Sequence, residues 1–164
     1  MTTSGDASLS AAVIVASNRA ATGVYADTTG PLIVEALRTD GWTVTDPVVV
    51  PDGDPVADAI RAAVDAGARV VLTTGGTGVT PTDRTPEATR SLLDREVPGI
   101  AEAIRAHGLA KGVPTALLSR GLAGIVGSAL VVNLPGSTGG VRDGLEVVVP
   151  VLRHAVEQIL GSDH

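Results

Sequence analysis

The chain reads as an α/β protein, a three-layer α/β/α sandwich built on a mostly parallel central sheet. Three observations predict that class. Apolar runs of strand length alternate with stripes at helical spacing along most of the sequence. Glycine, proline and capping residues punctuate the boundaries between them. The apolar content of 44% comes almost wholly from Ala, Val, Leu and Ile, with no Phe and one Trp. Small aliphatic side chains suit helices packed closely against both faces of a parallel sheet.

Residues 1–9 are polar and are expected to form a flexible N-terminal tail ahead of a single domain over residues 10–161. Ala11–Ala16 reads as a buried strand, and Thr28–Thr39 places Leu32, Ile33, Ala36 and Leu37 on one helical face, with Gly41 as the stop. Thr43–Val50 is a second strand ending at Pro51-Asp52-Gly53. Asp54 followed by Pro55 predicts a cap and first turn, with Val56, Ile60, Ala63 and Val64 facing inward. Arg69–Leu72 is a third strand running into Thr73-Thr74-Gly75-Gly76-Thr77-Gly78. Thr85-Pro86 repeats the cap-then-proline signal and opens a helix to about Arg95, and Val97–Lys111 holds another. Thr115–Leu118 and Leu130–Leu134 read as strands. Ser137–Leu160 is a long helix, with a kink or restart expected at Pro150.

Composition excludes several classes of function. A chain of 164 residues without cysteine has no disulfide framework, thiolate nucleophile or Cys-containing zinc site. Its three scattered histidines form no His-x-x-x-His pair, and His107, His154 and His164 read as helix-surface or terminal residues. No stretch is apolar enough to span a bilayer or reads as a signal peptide, so the cytoplasm is the expected compartment. A net charge of −6 gives no general attraction for nucleic acid. Phosphate binding by such a chain needs local devices: backbone amides, helix N-termini, a placed arginine or a cation.

In open parallel sheets, ligands bind beyond the carboxyl ends of the strands. Pro51-Asp52-Gly53, Thr74–Gly78 and Asn133-Leu134-Pro135-Gly136-Ser137 all follow predicted strands, so the topology gathers them. Gly75, Gly76 and Gly78 let the backbone approach a ligand and turn amides toward an anion, although a tight strand-to-helix turn explains the same run. The run matches neither the Walker pattern nor the spaced glycines of a dinucleotide fold. Asp52 and Asp83 are each ordinary loop carboxylates taken singly; as a pair beside an amide-rich loop they can hold Mg²⁺ with its phosphate ligands. Ser137 reads as an N-cap, leaving free amides at the head of the long helix. Ser119-Arg120-Gly121 adds a hydroxyl and a cation. Pro98-Gly99-Ile100 reads as a helix junction.

Together these segments, with Thr85-Pro86-Glu87-Ala88-Thr89 and Ser119–Ile125, resemble the molybdopterin-binding family that includes MogA, MoaB and the G domain of gephyrin. The resemblance spans roughly Val13–Ile159 and implies the fold of that family. It also implies a homotrimer that binds molybdopterin, adenylylates its terminal phosphate from Mg-ATP, and releases pyrophosphate, with possible handover of the product to a molybdate-insertion protein. It places catalysis and Mg²⁺ binding on Asp52 and Asp83. Contacts to the pterin and nucleotide phosphates then fall on Thr74, Gly75, Gly76, Thr77, Gly78, Ser119, Arg120, Asn133, Pro135, Gly136 and Ser137. The chain departs from the family pattern at Ser17-Asn18-Arg19, Val79–Thr82 and Thr138-Gly139-Gly140. A non-catalytic molybdopterin carrier or scaffold is the alternative expectation. A hydrolase of the competence-damage type ranks lower, since the resemblance puts that chemistry in a second domain.

Overall fold

The structure, a computed structural model, describes residues 9–23 and 26–162. The expected tail lies outside these residues except for Leu9, which packs against the core instead of hanging free. His164 also lies outside them.

The sheet has seven strands: β1 (Ser10–Ala16), β2 (Thr43–Val44), β3 (Val48–Val50), β4 (Val70–Thr74), β5 (Arg95–Glu96), β6 (Ala123–Val126) and β7 (Ala129–Leu134). Its order is β2-β1-β4-β7-β6-β5, with β3 also paired to β1. Strands β1 to β4 and β7 pair in parallel, whereas β6 runs antiparallel to both β7 and β5. The helices are α1 (Asn18–Ala21), α2 (Thr29–Thr39), α3 (Asp54–Asp65), α4 (Thr85–Arg90), α5 (Pro98–Ala110) and α6 (Thr138–Ile159).

Side chains alternate between two cores, one on each face of the sheet. Val13, Val70, Leu72, Leu130, Val132 and Leu134 pack with Ile33 and Leu37 of α2, Ile104 of α5 and the α6 stripe of Val141, Leu145, Val148, Leu152 and Val156. Ile14, Val71 and Val131 turn the other way, onto Val56 and Ile60 of α3 and Ala88 of α4. The period of two follows from the strand pleat and makes three layers out of one sheet.

Several expected elements shift. The strand expected over Thr43–Val50 is broken at Thr45-Asp46-Pro47. Pro47 has no N–H for the ladder, so β2 pairs with the start of β1 and β3 with its end. The strand expected over Thr115–Leu118 is a 3-10 helix, Pro114–Leu118, with no buried residue to seat it in a sheet. Its place beside β7 is taken by β6, which the glycine-punctuated sequence hid. The helix expected to reach Arg95 ends at Arg90, and Arg95 begins the edge strand β5. The expected cap positions move by one residue, since Asp54 and Thr85 are the first residues of their helices and Gly53 and Arg84 precede them.

Helix α6 runs unbroken through Pro150. An internal proline costs about 3 kcal/mol. Five buried aliphatic side chains at about 1.5–3 kcal/mol each outweigh it, and Pro150 itself faces solvent.

Candidate functional site

Register sets the site. Thr73 and Thr74 of β4 stand opposite Asn133 and Leu134 of β7, and Thr74 also stands opposite Val15 of β1. The chain therefore leaves three parallel strands at one level, and the segments after β3, β4 and β7 converge as their sequence positions predict. Because β6 is antiparallel, the Ser119–Leu122 segment enters at this same end of the sheet, and Asn133 N donates to Leu122 O at 2.9 Å.

The glycine run bends sharply. Gly75 and Gly76 have φ of 90° and 67°, a region that L residues avoid. A Cβ on Gly75 would strike the Ala16 carbonyl, and one on Gly76 would strike the Asp52 carboxylate and the Thr85 hydroxyl. A Cβ on Gly78 would lie 2.9 Å from Asp83 Oδ2. Asp52 and Asp83 thus reach the same loop, each into space that a side chain would fill. Among the described residues the amides of Gly76, Thr77, Gly78, Gly136 and Ser137 meet no protein acceptor.

Asp52 Oδ1 accepts from Gly53 N at 2.7 Å, Arg84 N at 3.1 Å and Thr85 Oγ1 at 3.5 Å. Its own amide donates to Asn18 Oδ1 at 3.0 Å. Burial raises the Asp52 carboxyl above its ordinary range and the Asp83 charge adds to that, against amide donation from Gly53 and Arg84. Asp83 Oδ2 accepts from Thr80 N at 3.0 Å, which folds the Thr80–Asp83 turn. Two adjacent carboxylates, completed by phosphate oxygens and water, make an ordinary Mg²⁺ donor set. Among the described residues no group of three acidic, His or Cys side chains forms a protein-only metal cage.

Other predicted residues are committed to the frame. Asn133, 3% exposed, donates to Thr73 Oγ1 and Thr89 Oγ1 at 2.9 and 3.0 Å, and its Oδ1 accepts from Leu122 N at 3.0 Å. Thr74 Oγ1 donates to Pro135 O at 2.7 Å, tying β4 to the β7 turn. Arg120 donates to the carbonyls of Gly78 and Asp83 at 2.8 and 2.9 Å and pairs with Glu87 at 2.5 Å. That hydrogen bond holds the Glu87 carboxyl below its usual range. Arg120 therefore braces the glycine–aspartate loop from outside. Ser137 is the expected cap, with Gly140 N donating to its Oγ at 3.0 Å.

Two cavities flank this ridge and share Gly136. One, of about 260 Å³, is lined by Thr74, Gly75, Ser17, Arg19 and Thr29. The other, of about 340 Å³, is lined by Thr77, Gly78, Ser119, Pro135 and Ser137. It also takes in Arg105 and Asp143, which no sequence motif marks. His107 is paired with Glu146 on the helix surface at 2.6 Å. Among the described residues no helix is long and apolar enough to cross a membrane.

Comparison with known proteins identifies the family and the fold. The family profile described as "Probable molybdopterin binding domain" matches residues 12–154. A molybdenum cofactor biosynthesis bifunctional protein of Synechococcus elongatus is 39% identical over 94% of this chain and 48% of its own length. The chain thus spans about half of that relative. The molybdopterin adenylyltransferase of Helicobacter pylori is 38% identical, over 92% of this chain and 87% of its own. The solved molybdopterin biosynthesis Mog protein from Mycobacterium ulcerans superposes with a TM-score of 0.87 at 53% identity, covering 92% of this chain and 98% of that one. In fold, in the loops at its strand ends and in these relatives, the chain belongs to the molybdopterin-binding domain family.

Proposed function

We propose that the chain is a molybdopterin adenylyltransferase of molybdenum cofactor biosynthesis, moving AMP from ATP to the terminal phosphate of molybdopterin. The observation that carries this is the convergence of Asp52 and Asp83 on Gly76 and Gly78, in a loop with unpaired amides. The name of the Helicobacter pylori relative supports it.

The nucleophile is a phosphate monoester, largely dianionic at neutral pH, so the reaction needs no strong general base. A terminal phosphate oxygen attacks the α-phosphorus of ATP, and the bond from that phosphorus to the pyrophosphate oxygen breaks. The barrier lies in bringing two polyanions together on a chain of net charge −6. Positioning and charge neutralisation supply the rate. The amides of Gly76–Gly78 and of Gly136-Ser137 donate to phosphate oxygens, and the start of α6 adds its dipole. Asp52 and Asp83 would hold Mg²⁺, whose chemistry when bound is to offset phosphate charge. Arg120, Asn133 and Thr74 act by fixing the loops that carry these groups. In the same reading residues 10–161 form one domain that works in the cytoplasm as a homotrimer and hands its product to a molybdate-insertion protein.

Incubation with molybdopterin, ATP and Mg²⁺ is expected to yield adenylylated molybdopterin and pyrophosphate. Asp83→Asn is expected to lower that rate at least about a hundredfold with an unchanged fold. Wild-type rates in the variant would sink the assignment. A carrier that binds molybdopterin without turnover is the second reading, favoured by the three protein donors already on Asp52. It requires pterin binding indifferent to Mg-ATP and no pyrophosphate.

A further inference from the structure

Strand β3 gives way to Asp52 through Pro51, which has no N–H to offer its neighbour β1. The β1–β3 ladder pairs Ile14 with Val48, Val15 with Val49 and Ala16 with Val50, and Ser17 N extends it by donating to Val50 O at 3.0 Å. In a parallel ladder the next rung would run from Asp52 N to Ser17 O. That carbonyl is already taken, because α1 begins at Asn18 and Ala21 N donates to Ser17 O at 2.9 Å. The Asn18 side chain supplies an acceptor in its place: Asp52 N donates to Asn18 Oδ1 at 3.0 Å. Ser17 Oγ, accepting from Ala20 N at 3.1 Å, caps α1 and so fixes where Asn18 stands. The two oxygens of Asp52 then differ. Oδ1 takes the donors of Gly53, Arg84 and Thr85, whereas Oδ2 accepts from no described residue and faces the space that a Cβ on Gly76 would fill.

We propose that Asn18 is a positioning residue for Asp52: its side-chain carbonyl replaces the backbone carbonyl that the turn into α1 withdraws, and holds the Asp52 main chain so that Oδ2 faces the glycine loop. Among the described residues this is the one hydrogen bond made by the Asp52 main chain. The bonds on Oδ1 orient the carboxylate, and the bond to Asn18 sets the backbone from which it projects. Asn18 is exposed, so water competes for this bond and its net contribution to global stability is small. Its effect falls on placement, and a displacement of about 1 Å can cost a reacting group about a hundredfold in rate. Only an acceptor is required at this position; a carboxylate supplies one and a methyl group does not. The inference rests on the transferase reading for what Asp52 does, and goes beyond it in naming what holds Asp52 in place.

The test compares the full chain with Asn18→Ala and Asn18→Asp. In the metal-free proteins, amide hydrogen exchange followed by NMR is expected to be at least about tenfold faster at Asp52 in Asn18→Ala and close to wild type in Asn18→Asp. In transfer from ATP to molybdopterin with Mg²⁺ in excess, kcat is expected to fall about tenfold or more in Asn18→Ala, with KM for molybdopterin little changed. Asn18→Asp is expected to regain most of that turnover. Melting temperatures of both variants are expected to match wild type, and a clear fall in Asn18→Ala would make the role one of stability and overturn the proposal. Wild-type exchange at Asp52 or wild-type turnover in Asn18→Ala overturns it as well, as does turnover in Asn18→Asp no better than in Asn18→Ala. A wild-type chain that forms no pyrophosphate from molybdopterin and ATP would sink the transferase reading alone, because the exchange comparison still decides whether Asn18 holds Asp52.

Discussion

Replacing Asn133 with leucine keeps the branching of the side chain and removes three hydrogen bonds at once. Thr73 and Thr89, both 0% exposed, lose the Nδ2 donors at 2.9 and 3.0 Å, and Leu122 N loses its acceptor at 3.0 Å. A net contribution of about 1 kcal/mol for each bond gives about 3 kcal/mol. The orphaned Leu122 amide keeps the figure from falling much, because its desolvation is no longer compensated. In a domain of this size that lowers the melting temperature by about 6–12 °C. The assays are thermal melting by circular dichroism and urea unfolding at one fixed protein concentration, with an unchanged m-value confirming that the loss is one of stability. A loss below about 1 kcal/mol would refute the network reasoning. Full stability with lost ligand affinity would make Asn133 a direct contact and not a strut.

Asp52→Asn separates function from stability. Burial and the Asp83 charge raise the Asp52 carboxyl above its ordinary value of 3.8. A raised folded-state value favours the protonated form, so this contribution is complete below about pH 3.8 and is lost as pH rises through the folded-state value. At neutral pH the variant is therefore expected to melt no lower than wild type, with its advantage shrinking in acid, while transfer is lost; melting curves against pH check this, and a lower melting temperature at neutral pH counts against it. Gly76→Ala combines a φ of 67° with a Cβ directed onto Asp52 and Thr85. The left-handed backbone alone costs about 1–2 kcal/mol, and displacement of Asp52 is expected to slow single-turnover transfer at least about tenfold. Wild-type turnover in that variant would remove the glycine–aspartate contact from the mechanism.

What the residues reveal in advance depends on the range of the forces involved. The layers were legible because burial acts position by position: the Ile33–Leu37 face, the Val70–Leu72 run and the Val141–Val156 stripe each state their own exposure. The short edge elements were not. β5 has two residues and pairs with β6 at the sheet edge, so Arg95-Glu96 carries no periodic signal. The 3-10 helix at Pro114–Leu118 has the apolar content of a strand and none of the partners.

By itself the sequence pointed to three glycine-bearing loops leaving a mostly parallel sheet at one end, with Asp52 and Asp83 among them, because strand direction follows from helical crossovers between strands. Only the tertiary structure decided which side chains are free to act there. Arg120 and Asn133 are ligand contacts in the expectation that the resemblance carries, yet their donors are turned onto Gly78, Asp83, Thr73 and Thr89. Asp143 looks like any charge on a helix, yet it lines the larger cavity. A hydrogen bond is directional and short-ranged, so its partner is chosen by the packing of segments tens of residues apart, which no local pattern encodes.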